Sequence, residues 1–237
     1  VVGILYGTGV LLFLLPPVPG CPIFMVSSIL ITKRFVASGG NFLFASLLAL
    51  VISMVIKMSS VALEQKGIGE SFSTSISVKK MVAVHTPEMK AIRYILSQKG
   101  LHMDKVIVLV CGPDWPTSVL TGVLRLPLLE MLIGTLPVIF LILPFTLSGS
   151  FIVHASTLPE NTMEKRRYEG LSSALLVFSM LTQMGGLMLI FQCTHAVMEK
   201  FKEEIAEGSW MKDGQEDEVL QDISCEEERL RRRQDAT

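Results

Sequence analysis

VIVLVCGPDWPTSVLTGVLRLP, residues 106–127, is the stretch whose reading decides the fold. Apolar residues flank a broken centre, Cys111-Gly112-Pro113-Asp114-Trp115-Pro116-Thr117-Ser118. Pro113 and Pro116 supply no backbone N–H, and each clashes with a preceding helical turn. Gly112 opens conformations closed to other residues. The segment therefore enters a helix, stops, turns and starts again. In lipid, such a break is tolerated where it is buried in protein or lines a wet cavity. Asp114 sits at the break, and an ionisable residue there marks a functional site by default. Its bland alternative is a helix cap serving the N–H groups around Pro116–Ser118, with Ser118 also read as a cap.

The same design occurs once earlier. Leu11–Leu30 reads LLFLLPPVPGCPIFMVSSIL, broken by Pro16, Pro17, Pro19, Gly20 and Pro22. A long apolar helix follows each break, over 41–63 and over 127–150. Two interrupted segments in corresponding positions predict an internal repeat around a midplane site. The expected fold is an all-α polytopic membrane protein. It has two re-entrant hairpins, over 10–32 and 106–126, each followed by a transmembrane helix in an inverted-repeat-like arrangement, plus one further transmembrane helix.

Composition agrees. Half of the 237 residues are hydrophobic and the formal net charge is −1, with a mean hydropathy of +0.51. That balance points away from nucleic acid. The cysteines at 21, 111, 193 and 225 form no CxxC pair, so neither a zinc site nor a disulfide framework is indicated. The chain starts at Val1 with no signal-peptide n-region and reads as a fragment or the core of something longer.

The expected organisation runs in order. Residues 1–63 hold the first hairpin and span; Gly3 and Gly7 in its first arm read as a small-xxx-small pair or, more simply, as incidental glycines of a truncated helix. Residues 64–105 are a polar, amphipathic helical interlude, in which Thr86-Pro87-Glu88 marks a helix start and Gly100 a stop. This helix reads equally as a basic helix on a membrane surface or as a solvated hairpin. Residues 106–155 hold the second hairpin and span, kinked at Pro137 and Pro144. Residues 171–197 are the last span, and 198–237 a charged cytosolic tail.

Two more charges fall in apolar segments. Lys57 either snorkels to the nearer interface or serves as a cavity cation that holds lipid phosphate. Glu130 either complements the dipole of the helix that Pro127 opens or handles protons. Together they make a candidate charged cavity. No catalytic or metal-binding pattern is found: His85, His102, His154 and His195 lack metal spacing, and no GxSxG, HExxH or phosphate loop occurs. Neither an enzymatic role nor a cofactor is expected.

Pro113-Asp114-Trp115, then Leu126-Pro127-Leu128, then Ile133-Gly134-Thr135-Leu136 resemble the second half of the VTT domain, the DedA or SNARE-associated Golgi protein superfamily. Its endoplasmic-reticulum members show a Pro-Asn-Trp turn, a Pro-Leu pair and a Gly-Thr helix in this order. Pro17-Val18-Pro19-Gly20 is similar to the family's first re-entrant turn. Asp114 stands where Asn is usual. Cys21 stands where bacterial members carry Glu, and 106–108 lacks the customary Arg, so the charges behind the bacterial members' proposed proton coupling are missing. The resemblance implies a scramblase-like protein of the endoplasmic reticulum or Golgi that moves phospholipids between leaflets in membrane traffic or autophagy. Pro17, Pro19, Gly20 and Cys21 would line the pathway from one side, and Gly112, Pro113, Asp114, Trp115, Pro116, Thr117 and Ser118 from the other. The expected partners are membrane phospholipids, and membrane-traffic proteins through the tail. The competing expectations are a proton- or ion-coupled transporter using Asp114, Glu130 and Lys57, and a non-transporting trafficking adaptor.

Overall fold

The computed structural model describes residues 2–16, 18–73, 75, 78 and 86–201, all helix, turn or loop with no strand among them. Helix α1 covers Val2–Phe13 and α2 covers Gly20–Ala37. Gly39, at φ 81°, turns the chain into α3, Phe42–Leu63, where Asn41 Oδ1 accepts from the N–H groups of Leu43 and Phe44. This is the ordinary N-cap, satisfying two donors that a helix start leaves unpaired. The chain continues as a π-helix over Glu64–Glu70.

Helix α4, Pro87–Ser97, begins at Thr86, whose hydroxyl accepts from Met89 N–H. Helices α5, Met103–Cys111, and α6, Asp114–Val123, flank the second break. Helix α7, Leu128–Thr135, passes through a 3₁₀ turn at Leu136–Val138 into α8, Ile139–Thr157. The expected kink at Pro137 is this turn, whereas Pro144 is accommodated inside α8. Helix α9, Met163–Lys200, is capped by Thr162.

Among the described residues, four helical stretches are long and apolar enough to cross a bilayer: Gly20–Ala37, Phe42–Glu70, Leu128–Thr157 and Met163–Lys200. The chain is an integral membrane protein on that ground. Several expected boundaries shift. The first span runs to Glu70 rather than 63, and the last covers 163–200 rather than 171–197. The second arm of the first broken segment reaches Ala37 and has 18 residues, the length of a minimal span. By contrast α5 and α6, with 9 and 10 residues, reach only about 14–15 Å each at 1.5 Å per residue. Neither crosses an apolar core of about 30 Å alone.

Hydroxyls and small residues hold the bundle together, as expected where lipid removes the hydrophobic drive between helices. Ser28 Oγ donates to Thr146 O at 2.5 Å and lies 2.8 Å from Ser150 Oγ, which also meets Thr32 Oγ1 at 3.0 Å. Ser148 and Ser172 each donate to the other's carbonyl oxygen at 2.9 Å. These bonds join α2 to α8 and α8 to α9. Gly69 of the π-helix and Gly122 of α6 meet backbone to backbone: a Cβ on Gly69 would overlap Val119 O, and one on Gly122 would overlap Gln65 O.

Helix α4 differs from both expectations for it. Ile92, Ile95 and Leu96 are buried in one cluster with Val108, Trp115, Val119 and Ile190. Its apolar face is therefore packed inside the protein, neither lying on a membrane surface nor solvated. The tail beyond Phe201, including Cys225, lies outside the described residues, as does Pro17.

Candidate functional site

Both breaks open on one cavity of about 310 Å³. Pro16, Val18, Pro19, Gly20 and Cys21 line it from the first break, and Cys111–Pro116 from the second. Lys57 enters from α3, while Val138 of the 3₁₀ turn and Ile142 and Phe145 of α8 close it, with Gln183 and Leu187 from α9. The reason is local. Prolines end the helices there, and glycine lets neighbours approach: a Cβ on Gly20 would lie 2.8 Å from the Phe13 ring and 3.1 Å from Asp114 Oδ2.

At the cavity wall Lys57 Nζ lies 2.5 Å from Asp114 Oδ1. The lysine side chain is 3 % exposed and the aspartate 32 %. Lys57 Nζ also stands 5.3 Å from the centroid of the Phe13 ring, a cation–π distance. Lys57 thus does not snorkel; its ammonium stays buried because a carboxylate fifty-seven positions away in sequence meets it. Nor does Asp114 cap. It is the first residue of α6, the capping position is Pro113, and no side-chain bond closes that helix start. The carboxylate still benefits from the dipole of α6. A charge pair of this kind owes its stability to being matched, since either ion alone would carry an uncompensated desolvation penalty.

Thr117 and Ser118 are buried in α6 and do not line the cavity. Glu130 is not in a shared cavity with Lys57. Its Oε1 accepts at 2.6 Å from Lys105 Nζ, which also donates to Gln98 O at 2.9 Å. Lys105 is 2 % exposed, so this pair ties the loop at 98–100 to the start of α7.

One residue escaped the sequence reading. Ser53, Lys57, Ser60 and Glu64 recur at steps of four, three and four, and all are buried. They form a polar stripe down α3 into the π-helix. Glu64 is 1 % exposed, and neither carboxylate oxygen has a hydrogen-bond partner among the described residues. It lies within Coulombic reach of Lys57 and Asp114, and Ser118 faces it from α6 without closing a hydrogen bond. The signal was in the spacing, which repeats on one helix face.

Chemically, the arrangement offers a charge pair, freed backbone groups at two helix breaks, the Gln183 amide and two thiols, Cys21 and Cys111, in a wall otherwise mostly apolar. Among the described residues no group of three or more His, Cys, Asp and Glu could hold a metal ion. Compared with models of known families, with curated proteins and with solved structures, the chain matches none.

Proposed function

We propose that this chain moves phospholipids between leaflets in the manner of a scramblase, as its resemblance to the VTT/DedA superfamily implies. The observation that carries the reading is the cavity with a charge pair, set between two helix breaks inside an apolar bundle. A headgroup crossing hydrocarbon pays a desolvation penalty of several kcal/mol for each polar group left unpaired. A wall with a buried ammonium, a partly open carboxylate and two sets of interrupted backbone lowers that penalty along one path. No covalent step is required. The two breaks would be the apices of re-entrant hairpins, and the membrane would be that of the endoplasmic reticulum or Golgi, as the same resemblance implies.

The test is reconstitution of the chain in liposomes carrying a fluorescent phospholipid in both leaflets, with a membrane-impermeant quencher added outside. Transfer makes the inner-leaflet label accessible. Label that stays protected, as in protein-free vesicles, sinks the proposal. A second reading, a proton- or ion-coupled transporter, is favoured by one observation, the buried and unpartnered Glu64 on the stripe that carries Lys57. Lipid movement that follows an imposed pH gradient, and loses that dependence in Glu64→Gln, would put the transporter first. Movement indifferent to the gradient keeps the scramblase.

A further inference from the structure

A second cavity adjoins the first. A groove of about 410 Å³ runs between α1 and α2, lined by Ile4, Leu12, Pro22, Val26 and Leu30 among others, with no charged side chain among its described lining residues. Val18 lines both cavities, so the apolar groove and the charge pair's cavity share a wall. We infer that the two together hold one phospholipid, its headgroup at the Lys57–Asp114 pair and one acyl chain in the α1–α2 groove. The headgroup half of this assignment rests on the lipid-moving reading.

Three features select a phospholipid chain as the occupant. The first is shape. The groove follows the faces of two helices at i, i+4 spacing, Ile4, Thr8 and Leu12 opposite Pro22, Val26 and Leu30. From Pro22 to Leu30 the helix rises about 12 Å at 1.5 Å per residue, a little under half of an apolar core of about 30 Å. That suits a chain belonging to one leaflet.

The second is polarity. The first cavity carries the Lys57–Asp114 pair, and the groove beside it carries no charged side chain among its described lining residues.

The third is access. Ile4 is 77 % exposed, Val26 51 % and Leu30 44 %, so the groove opens sideways to lipid. A chain can slide in without its headgroup leaving the polar cavity. Charge at one end and hydrocarbon at the other is the pattern of a phospholipid. A sterol or a helix of a second copy would use the groove and leave the ion pair idle.

The test uses the full chain in phosphatidylcholine vesicles that contain a phosphatidylcholine with a diazirine in one acyl chain. After illumination, adducts are mapped by peptide mass spectrometry. Adducts on Leu12 and Val26 are expected several-fold above those on Leu181 and Phe191 of α9, which are at least as exposed. Val26→Trp should lower the groove adducts several-fold and leave the α9 adducts unchanged. Leu30→Trp serves the same purpose if the first variant fails to fold. A Lys57→Met, Asp114→Asn double variant should also lower groove labelling, because the headgroup loses its seat. Equal labelling of groove and α9 would mean bulk lipid only and overturn the inference. So would groove labelling by a diazirine sterol that added phosphatidylcholine does not displace, or a disulfide between copies through Ile4→Cys in place of adducts. The mapping reads occupancy and not movement. Specific groove labelling without lipid transfer supports the site and refutes the scramblase; transfer without groove labelling refutes only the site.

Discussion

The Lys57–Asp114 pair makes an asymmetric prediction. The two side chains share one contact of 2.5 Å but differ in exposure, 3 % against 32 %. Asp114→Asn keeps the shape and strands an ammonium that water cannot reach. Removing one partner of a buried pair costs about 3–5 kcal/mol. Lys57→Met instead leaves a carboxylate that the cavity can hydrate and that α6 still favours at its N-terminus, a loss nearer the value for exposed pairs, up to about 1 kcal/mol. The two variants should therefore differ by about 2–4 kcal/mol, with the aspartate variant the weaker. For a chain of this size that corresponds to roughly 4–16 °C in Tm. The assay is thermal unfolding in one detergent, followed by intrinsic fluorescence, on both single variants and the double. The double variant should recover most of the Asp114→Asn loss, because it removes the stranded charge. An Asp114→Asn protein as stable as the parent would refute the reasoning and restore the capping role. A Lys57→Met protein weaker than Asp114→Asn would refute the exposure argument.

Two further outcomes follow from the packing. Gly122→Ala should lose about 1–3 kcal/mol, as overpacked cores do, because its Cβ would enter Gln65 O, a backbone atom that cannot rotate away. Gly185→Ala on α9, where nothing lies within 4 Å, should gain up to about 1 kcal/mol from reduced chain entropy; the same melting assay compares them, and equal effects would discount the close crossing. If the breaks are hairpin apices, single cysteines placed at Val2 and Ser38 in a background without the native cysteines should react with an impermeant maleimide from one and the same side, and likewise a pair at His102 and Arg125. Reaction from opposite sides would end the repeat reading.

Much of the helical framework was legible one turn at a time. Thr86 and Gly100 act where local chemistry places them, as a cap and as a left-handed residue just past the end of α4. The end of α3 was not legible, because EQKGIGE looks polar and glycine-rich. Its helix persists because Gly69 lets the backbone press on Gly122, a contact across fifty-three positions that overrides local propensity. The candidate site divides the same way. The prolines and glycines marked both breaks, and the structure brings the two around one cavity. Lys57 and Asp114 each had a sufficient private explanation, a snorkel and a cap, and single-residue reasoning has no means of pairing them. Glu64 was hidden for a related reason: charge moved it into the polar interlude, although its spacing from Ser53, Lys57 and Ser60 kept it on the buried face.

The long separation inside the ion pair also has a consequence in time. Chains emerge from the ribosome at about 5–20 residues per second, so Asp114 follows Lys57 by roughly 3–11 s. Throughout that interval the lysine has no carboxylate from α6. On insertion scales a central lysine costs about 2.5–3.5 kcal/mol. An 18-residue window of its span with a mean hydropathy of 2.2 has to carry the helix into the bilayer regardless. Ser28 waits longer still for Thr146 and Ser150. During synthesis the first half of the protein is thus a set of provisional helices, and its polar contacts close only when the second half arrives.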